Sequence, residues 1–237
     1  MVGLGTTVNT AAILLGGLCG LLFGRFLPER AQDTLCRSCG LCTLFIGISG
    51  ALQGMLSVEG SALAGRDTVW IILCITIGAL IGELLNFEDR IEGFGQWLKI
   101  KTGSAKDKQF VNAFVTTSLT VCIGAMAVVG AIEDGIRTDH SILFTKATLD
   151  FIIVMVMTSS MGKGCIFSAI PVAVFQGGVT LLARLMQPLM TPAAQASLSL
   201  TGSMLIFCVG INLVWEKKIR VANLLPALVL AVAFSFF

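Results

Sequence analysis

Charge is what this chain has least of. Asp, Glu, Lys and Arg make up 13% of its 237 residues, where a soluble domain carries about 25%. That deficit excludes an ordinary water-facing surface and points to an integral membrane protein. A net charge of +2 leaves no electrostatic footprint for nucleic acid. Histidine occurs once, at His140, with no Cys or Ser partner at a recognised spacing. A Walker loop, G-x-S-x-G, H-E-x-x-H and a dinucleotide fingerprint are all missing. The reading is of a protein that is not an enzyme and takes no cofactor. The opening MVGLGTTVNTAAILLGG carries no basic residue ahead of its apolar run, so it reads as a first membrane helix and not as a cleaved signal.

Cysteine is better supplied, with eight residues at 19, 36, 39, 42, 74, 122, 165 and 208. Five of them sit inside apolar runs, where Cys behaves as a small hydrophobe. Cys36, Cys39 and Cys42 form C-x2-C-x2-C, part of an iron–sulfur or zinc pattern. No fourth Cys or His lies nearby, so the tetrahedral set is incomplete. Three small residues near one helix face account for the spacing, and no metal is assigned.

What the chain has in abundance is apolar length. It is 55% hydrophobic, with a mean hydropathy of +0.90. Crossing a bilayer core takes about 20 apolar residues. Candidate spans are 6–26, 36–56, 68–86, 108–131, 142–160, 165–187, 196–214 and 221–237, the last being short with Pro226 inside it. The predicted fold class is therefore all-α, a polytopic bundle of about eight transmembrane helices in one integral membrane domain, 1–237. Twelve Lys and Arg follow the odd-numbered spans, among them Arg25, Arg30, Arg90, Lys99, Lys217 and Lys218. Four, namely Arg66, Arg137, Lys146 and Arg184, lie on the other side. The positive-inside rule then places both termini outside the cytoplasm. Residues 86–108 interrupt the pattern. Ile91, Phe94, Trp97 and Leu98 recur at helical spacing there, against a polar face of Asp89, Arg90, Glu92 and Lys99. A short amphipathic helix at the cytoplasmic interface, anchored by Trp97, fits this segment, and so does a charged loop.

The chain also resembles itself. Residues 11–53 and 173–214 both show Gly-Gly in an apolar run, then Pro about a dozen residues on. Each ends on an apolar helix carrying Ile46-Gly47-Ile48 or Val209-Gly210-Ile211. A weaker copy lies at 71–131. The repeat-like units are about 6–56, 68–131 and 165–214. The copy at 173 begins an odd number of spans after the first and is therefore inverted, the arrangement typical of secondary transporters with a midplane site. Compositional likeness between Gly-rich apolar helices is the competing explanation.

The organising stretch is Phe110–Gly164. Two apolar runs flank a polar clasp of Glu133, Asp134, Arg137, Asp139 and His140. The first run is rich in small residues, including Gly124, Ala125, Ala127 and Gly130. Such residues let helices approach closely, or let one break and expose its backbone. The second run holds Asp150, eight residues beyond a start near Ile142. At 1.5 Å per residue that is about 12 Å, close to the middle of a core about 30 Å thick. An ionisable group at that depth marks a functional site by default. Lys146, one turn earlier, either neutralises Asp150 or forms a pair that opens when a cation or proton binds. Polar residues in or beside the spans complete the candidates: Asn9, Gln53, Glu83, Thr117, Ser118, Asp134, Ser159, Ser160, Gln176 and Asn212. Asp150, Lys146, Asp134, Asn9, Ser118, Gln176 and Asn212 are assigned to the solute or ion pathway. Amides and hydroxyls of this kind equally well join membrane helices by hydrogen bonds.

Several motifs in order resemble a known family. They are GTTVNTAAILLGGLCGLLFGRFLPER, GALIGE, CIGAMAVVGAIEDGIRTDHSILFTKATLDF, the FSAIPV…QGG stretch and NLLPALVLA. The chain is similar over essentially its whole length to the YqgA/YdfK-like family of bacterial inner-membrane proteins. The resemblance implies a multi-pass protein of the bacterial inner (plasma) membrane, sometimes described as a transporter, with no assigned catalytic residues. The cysteine cluster at 36–42 is not a feature of that family. The functional expectation is a secondary transporter or channel for a small solute or ion. The alternative is a non-transporting scaffold or sensor subunit. Its partners are the lipid bilayer and the solute or ion, not nucleic acid, with homo-oligomerisation left open.

Overall fold

A computed structural model describes residues 1–24, 26–59, 62–65, 69–123, 125–215 and 219–236. Arg25, Arg66, Lys217 and Lys218 of the charge count, and Gly124 of the small-residue run, lie outside the described residues. The spans are helical, and the all-α class holds. In chain order they are α1 (Leu4–Gly24), α2 (Glu29–Met55), α3 (Val69–Leu85), α4 (Phe87–Lys101), α5 (Phe110–Cys122), α6 (Ala125–Arg137), α7 (Ser141–Met161), α8 (Ala169–Leu181), α9 (Ala183–Met186), α10 (Pro192–Val214) and α11 (Pro226–Phe234). Short 3-10 turns cover Lys163–Ser168, Gln187–Leu189 and Val221–Leu224. Between α2 and α3 the loop folds into a small antiparallel hairpin, Leu56–Glu59 with Ala62–Gly65. The sequence reading did not anticipate it.

Five stretches are long and apolar enough to cross a membrane: Leu4–Gly24, Arg30–Met55, Ser141–Met161, Lys163–Leu181 and Pro192–Val214. Two bent pairs raise the total to seven, α3 with α4 at 51° and α5 with Met126–Arg137 at 60°. The expected eighth span is represented by a shorter apolar stretch, Val221–Phe234. Both prolines that open late helices do so for a local reason. Pro192 and Pro226 sit in the first helical turn, where a missing N–H costs nothing. Thr191 caps α10 by accepting from the Ala194 amide at 3.1 Å.

The chain sorts into two compact units, Met1–Cys39 with Asp89–Gln187, and Gly40–Glu88 with Pro188–Phe237. In the first, α1 and α7 run parallel. A Cβ placed on Gly16 or Gly20 would collide with the Phe151 or Met155 carbonyl, and one on Gly24 would lie 3.0 Å from the Ser159 oxygen. Glycine at every fourth position lets two helix backbones touch. The opposite face of α1 presents Leu15, Leu18, Leu22 and Phe23 to the surroundings. This is the inverse of a soluble helix and suits a lipid solvent. α8 lies antiparallel to α1, with Thr6 and Thr180 hydroxyls 3.3 Å apart.

The second unit repeats the device. Gly40, Gly47 and Gly54 of α2 pack against Val214, Phe207 and Leu200 of α10, antiparallel. Gly78 and Gly82 of α3 meet Ala227 and Asn223. The bend between α3 and α4 falls at Asn86, whose φ of 54° is the left-handed conformation that Asn tolerates best after Gly. Just beyond it, Glu88 is 2% exposed. Its carboxylate accepts from the Ala222 amide at 2.9 Å, while the Asn223 side-chain oxygen accepts from the Glu88 amide at 2.7 Å. Glu83 holds Arg220 at 2.9 Å and the Asn223 amide at 2.5 Å. A carboxylate thus caps the 3-10 turn that leads into α11, where free N–H groups need an acceptor.

Candidate functional site

The site grows from a helix that stops early. Sequence hydropathy carries one span through 108–131, but α5 ends at Cys122, and Ile123 turns extended, with φ −78° and ψ 125°. A continuing helix would offer the Val121 carbonyl to the amide of residue 125. The extended residue removes that path, and the carbonyl turns instead to a side chain. Lys146 of α7 donates to it at 2.8 Å.

The same ammonium donates to both carboxylate oxygens of Asp150, at 2.9 and 2.6 Å. Lys146 is 7% and Asp150 3% exposed. The spacing of four residues that suggested a pair in the sequence forms one, and the backbone oxygen completes it. An ammonium has three N–H donors, and here all three meet oxygen. The negative end of the α5 dipole adds to the attraction.

Two amides stand beside the pair. Asn9 of α1 donates to the Gln176 side-chain oxygen of α8 at 3.1 Å, and both residues are fully buried. The Asn9 amide also interacts with the Asp150 carboxylate. Asn9 Oδ1 and Gln176 Nε2 have no protein partner. Ser118 lies one turn before Val121 on α5, and its buried hydroxyl likewise has no partner. Immediately along the helices comes an apolar layer of Ile13, Val121, Val154, Ala169 and Val172, with Cys122 packed against it. Four of the predicted pathway residues, Asn9, Lys146, Asp150 and Gln176, are therefore brought together, and the site is closed to solvent.

Asp134 sits elsewhere and does something else. Fully buried near the end of α6, it accepts from the amides of Gly3 at 3.2 Å, Gly5 at 3.1 Å and Thr6 at 3.4 Å. It thereby caps the N-terminus of α1, where backbone donors are free and the dipole favours an anion. His140 Nδ1 lies 2.7 Å from Oδ1, the oxygen that also accepts from Gly3, and the imidazole packs on Phe144. Within the loop before α7, the Ser141 hydroxyl and then the Ser141 amide hold the Asp139 carboxyl below its usual range. Asn212 belongs to the second unit. Its amide donates to the Ile219 carbonyl at 2.7 Å and accepts from the Ile219 amide at 2.9 Å. Glu83 is 57% exposed at its side chain and paired with Arg220.

Three features had no sequence signal: the Val121 carbonyl, the capping of α1 by Asp134, and the burial of Glu88. Each joins residues more than twenty positions apart, and one of the partners is backbone. Among the described residues, no group of three or more His, Cys, Asp or Glu is arranged to hold a metal ion. Cys36 and Cys39 are half-buried and Cys42 is exposed along α2.

Comparison with known proteins now places this arrangement. The family described as "Protein of unknown function (DUF554)" matches residues 4–236. The chain belongs to the DUF554 family. It is 31% identical over 236 residues to "Uncharacterized protein YqgA" of Escherichia coli (strain K12), covering 98% of this chain and 96% of that one. It is 26% identical over 226 residues to "Uncharacterized membrane protein YdfK" of Bacillus subtilis (strain 168), covering 95% and 93%. No solved structure matches. The apolar helices and the family together make this DUF554 protein a multi-span membrane protein of uncharacterised activity.

Proposed function

We propose that this DUF554 protein is a secondary transporter or channel for a small solute or ion. The observation that carries the reading is the Lys146–Asp150 pair, buried against the Val121 carbonyl at the end of an interrupted helix, which accepts from the same ammonium. An ion pair taken out of water returns little net stability, so its place in an apolar bundle calls for a use. Interrupted helices, free backbone oxygens and amides lacking partners are the parts from which midplane sites are built. No nucleotide-binding loop is present, so any driving force comes from an ion or solute gradient or from a partner. The inverted repeat adds support: the matched glycines Gly47 and Gly210 both lie at the α2–α10 contact, facing Phe207 and Leu44. The competing scaffold reading has its own observation, since the pair is packed and closed.

The experiment is a ligand screen on purified protein, followed by flux into proteoliposomes. A transported solute raises Tm in proportion to log concentration and enters the vesicles, and Asp150→Asn abolishes both effects. If no ion, amino acid, polyamine or organic acid shifts Tm and no flux appears, the scaffold reading stands instead.

The same reading includes the bacterial inner membrane, with both termini outside the cytoplasm. It rests on the bias of Lys and Arg among the connecting segments. Reporter fusions at Ala105 and Lys163 should give cytoplasmic signals, and a fusion at Thr138 an external one. The reverse pattern overturns the orientation.

A further inference from the structure

We propose that the Asp150 carboxylate and the Val121 carbonyl form a binding site for a small monovalent cation, and that the Lys146 ammonium is its resident, tethered occupant. The inference deepens the transport reading of the same site, but it concerns binding alone.

The geometry is that of an oxygen cage. Lys146 Nζ has three oxygens at 2.6 to 2.9 Å, two from Asp150 and one from Val121. Asn9 stands beside the carboxylate and approaches it through its amide N–H. Compact cations are held by carboxylate and carbonyl oxygens of this kind. The Val121 carbonyl faces a cation because α5 ends one residue later, and the helix C-terminus lends it negative potential.

Charge selects the class of ligand. One carboxylate balances one positive charge. A divalent ion would leave an unbalanced charge against Ile13, Val154 and Val172, which is costly in an apolar setting. The donors are all oxygen, which suits alkali ions and ammonium over metals that favour nitrogen or sulfur. Because Asp150 is 3% exposed, the cage cannot stand empty with its carboxylate ionised. A second cation enters only as Lys146 leaves, and the four-carbon stem lets the ammonium withdraw while α7 stays in place. Lys146 and the free cation are therefore competitors for one set of oxygens.

The test uses the purified full chain in detergent, with Tm read in choline chloride and in NaCl, KCl or methylammonium chloride at equal ionic strength. Lys146→Ala opens the cage, and Lys146→Met keeps the stem volume while removing the charge. In choline both variants should lose several degrees of Tm. At least one of the three small cations should restore stability saturably, with Tm rising with log concentration. The wild-type protein should show no such selectivity. Lys146→Ala/Asp150→Asn should fold and respond equally to all four salts. Equal Tm in every salt for both single variants overturns the proposal. So does failure of both to fold in any salt while the double variant folds, because the vacated carboxylate would then have captured no cation. The readout needs no flux. A protein that transports nothing can still pass this test, and a transporter of another solute can fail it.

Discussion

Removing the charge of Lys146 alone should cost about 3–5 kcal/mol, because it leaves Asp150 as an uncompensated buried charge. In choline buffer that is a Tm loss of about 10 °C for a chain of this size. Removing both charges, as in Lys146→Met/Asp150→Leu, should return most of the loss. Buried ion pairs replaced by apolar residues of similar volume are often neutral or even stabilising. Asp150→Leu alone should resemble Lys146→Met alone, since it strands the ammonium with only the Val121 carbonyl for a partner. With each single variant costing about 3–5 kcal/mol and the double close to the wild type, the double-mutant cycle should give a coupling energy of about 5–10 kcal/mol, above the usual range for neighbours in one network. The pair would be of little consequence if both single variants and the double all melted within a degree or two of the wild type. That outcome would describe an exposed pair, against the 7% and 3% exposure found for the two residues. The double variant also separates stability from function. It folds without the charge pair, so any loss of flux in it comes from the missing charges and not from unfolding.

The cycle also marks where the sequence ran out. Lys146 and Asp150 were readable as a pair because helix geometry places residues four apart on one face. The third oxygen was not, because nothing in the identity of Val121 records that its carbonyl accepts from a side chain. The small residues of the first run allowed either close packing or a break. Hydropathy cannot choose between them, since it sums over a bend of 60° as though the segment were straight. α6 then continues to Arg137, so Glu133 and Asp134, read as part of a polar clasp between spans, lie on a helix. Asp134 looked like a pathway carboxylate for the same reason as Asp150: it is acidic and close to an apolar run. The structure separates the two by their partners, backbone amides of a helix N-terminus for one and a lysine for the other. α2 begins at Glu29 and not near Cys36, because the polar stretch Glu29–Thr34 is helical without being apolar. Of the two readings left open for 86–108, a short amphipathic helix and a charged loop, Phe87–Lys101 is helical as α4, with Trp97 exposed.

Glycine shows the same divide, and it supplies the second large effect. The two Gly-Gly pairs, 16–17 and 177–178, look equivalent in sequence and anchor the repeat. Their surroundings differ. A Cβ on Gly16 would strike the Phe151 carbonyl, and one on Gly17 would press into Ile166 of the 3-10 turn. Nothing lies within 4 Å of a Cβ on Gly177 or Gly178. Gly20 is the tightest of the α1 set. Its added Cβ would meet the Met155 carbonyl, with Thr158 Cβ at 2.8 Å. Both helices would have to move apart, because the obstacle is backbone and no rotamer relieves it. Gly20→Ala should cost about 1–3 kcal/mol, the usual range for forcing volume into a packed contact. Gly20→Leu should prevent recovery of a monodisperse protein. The loss would extend to the site, since Asn9 is held against Gln176 and Asp150 by the same helix. Gly177→Ala should leave Tm unchanged or raise it slightly, because Ala is favoured over Gly in a helix by about 1 kcal/mol. Size-exclusion profiles and Tm for Gly20→Ala, Gly20→Leu and Gly177→Ala, prepared side by side, settle the matter. A Gly20→Leu protein that is monodisperse and melts with the wild type would show that α1 and α7 do not touch through their backbones. Equal damage from Gly177→Ala would show that α8 is covered there.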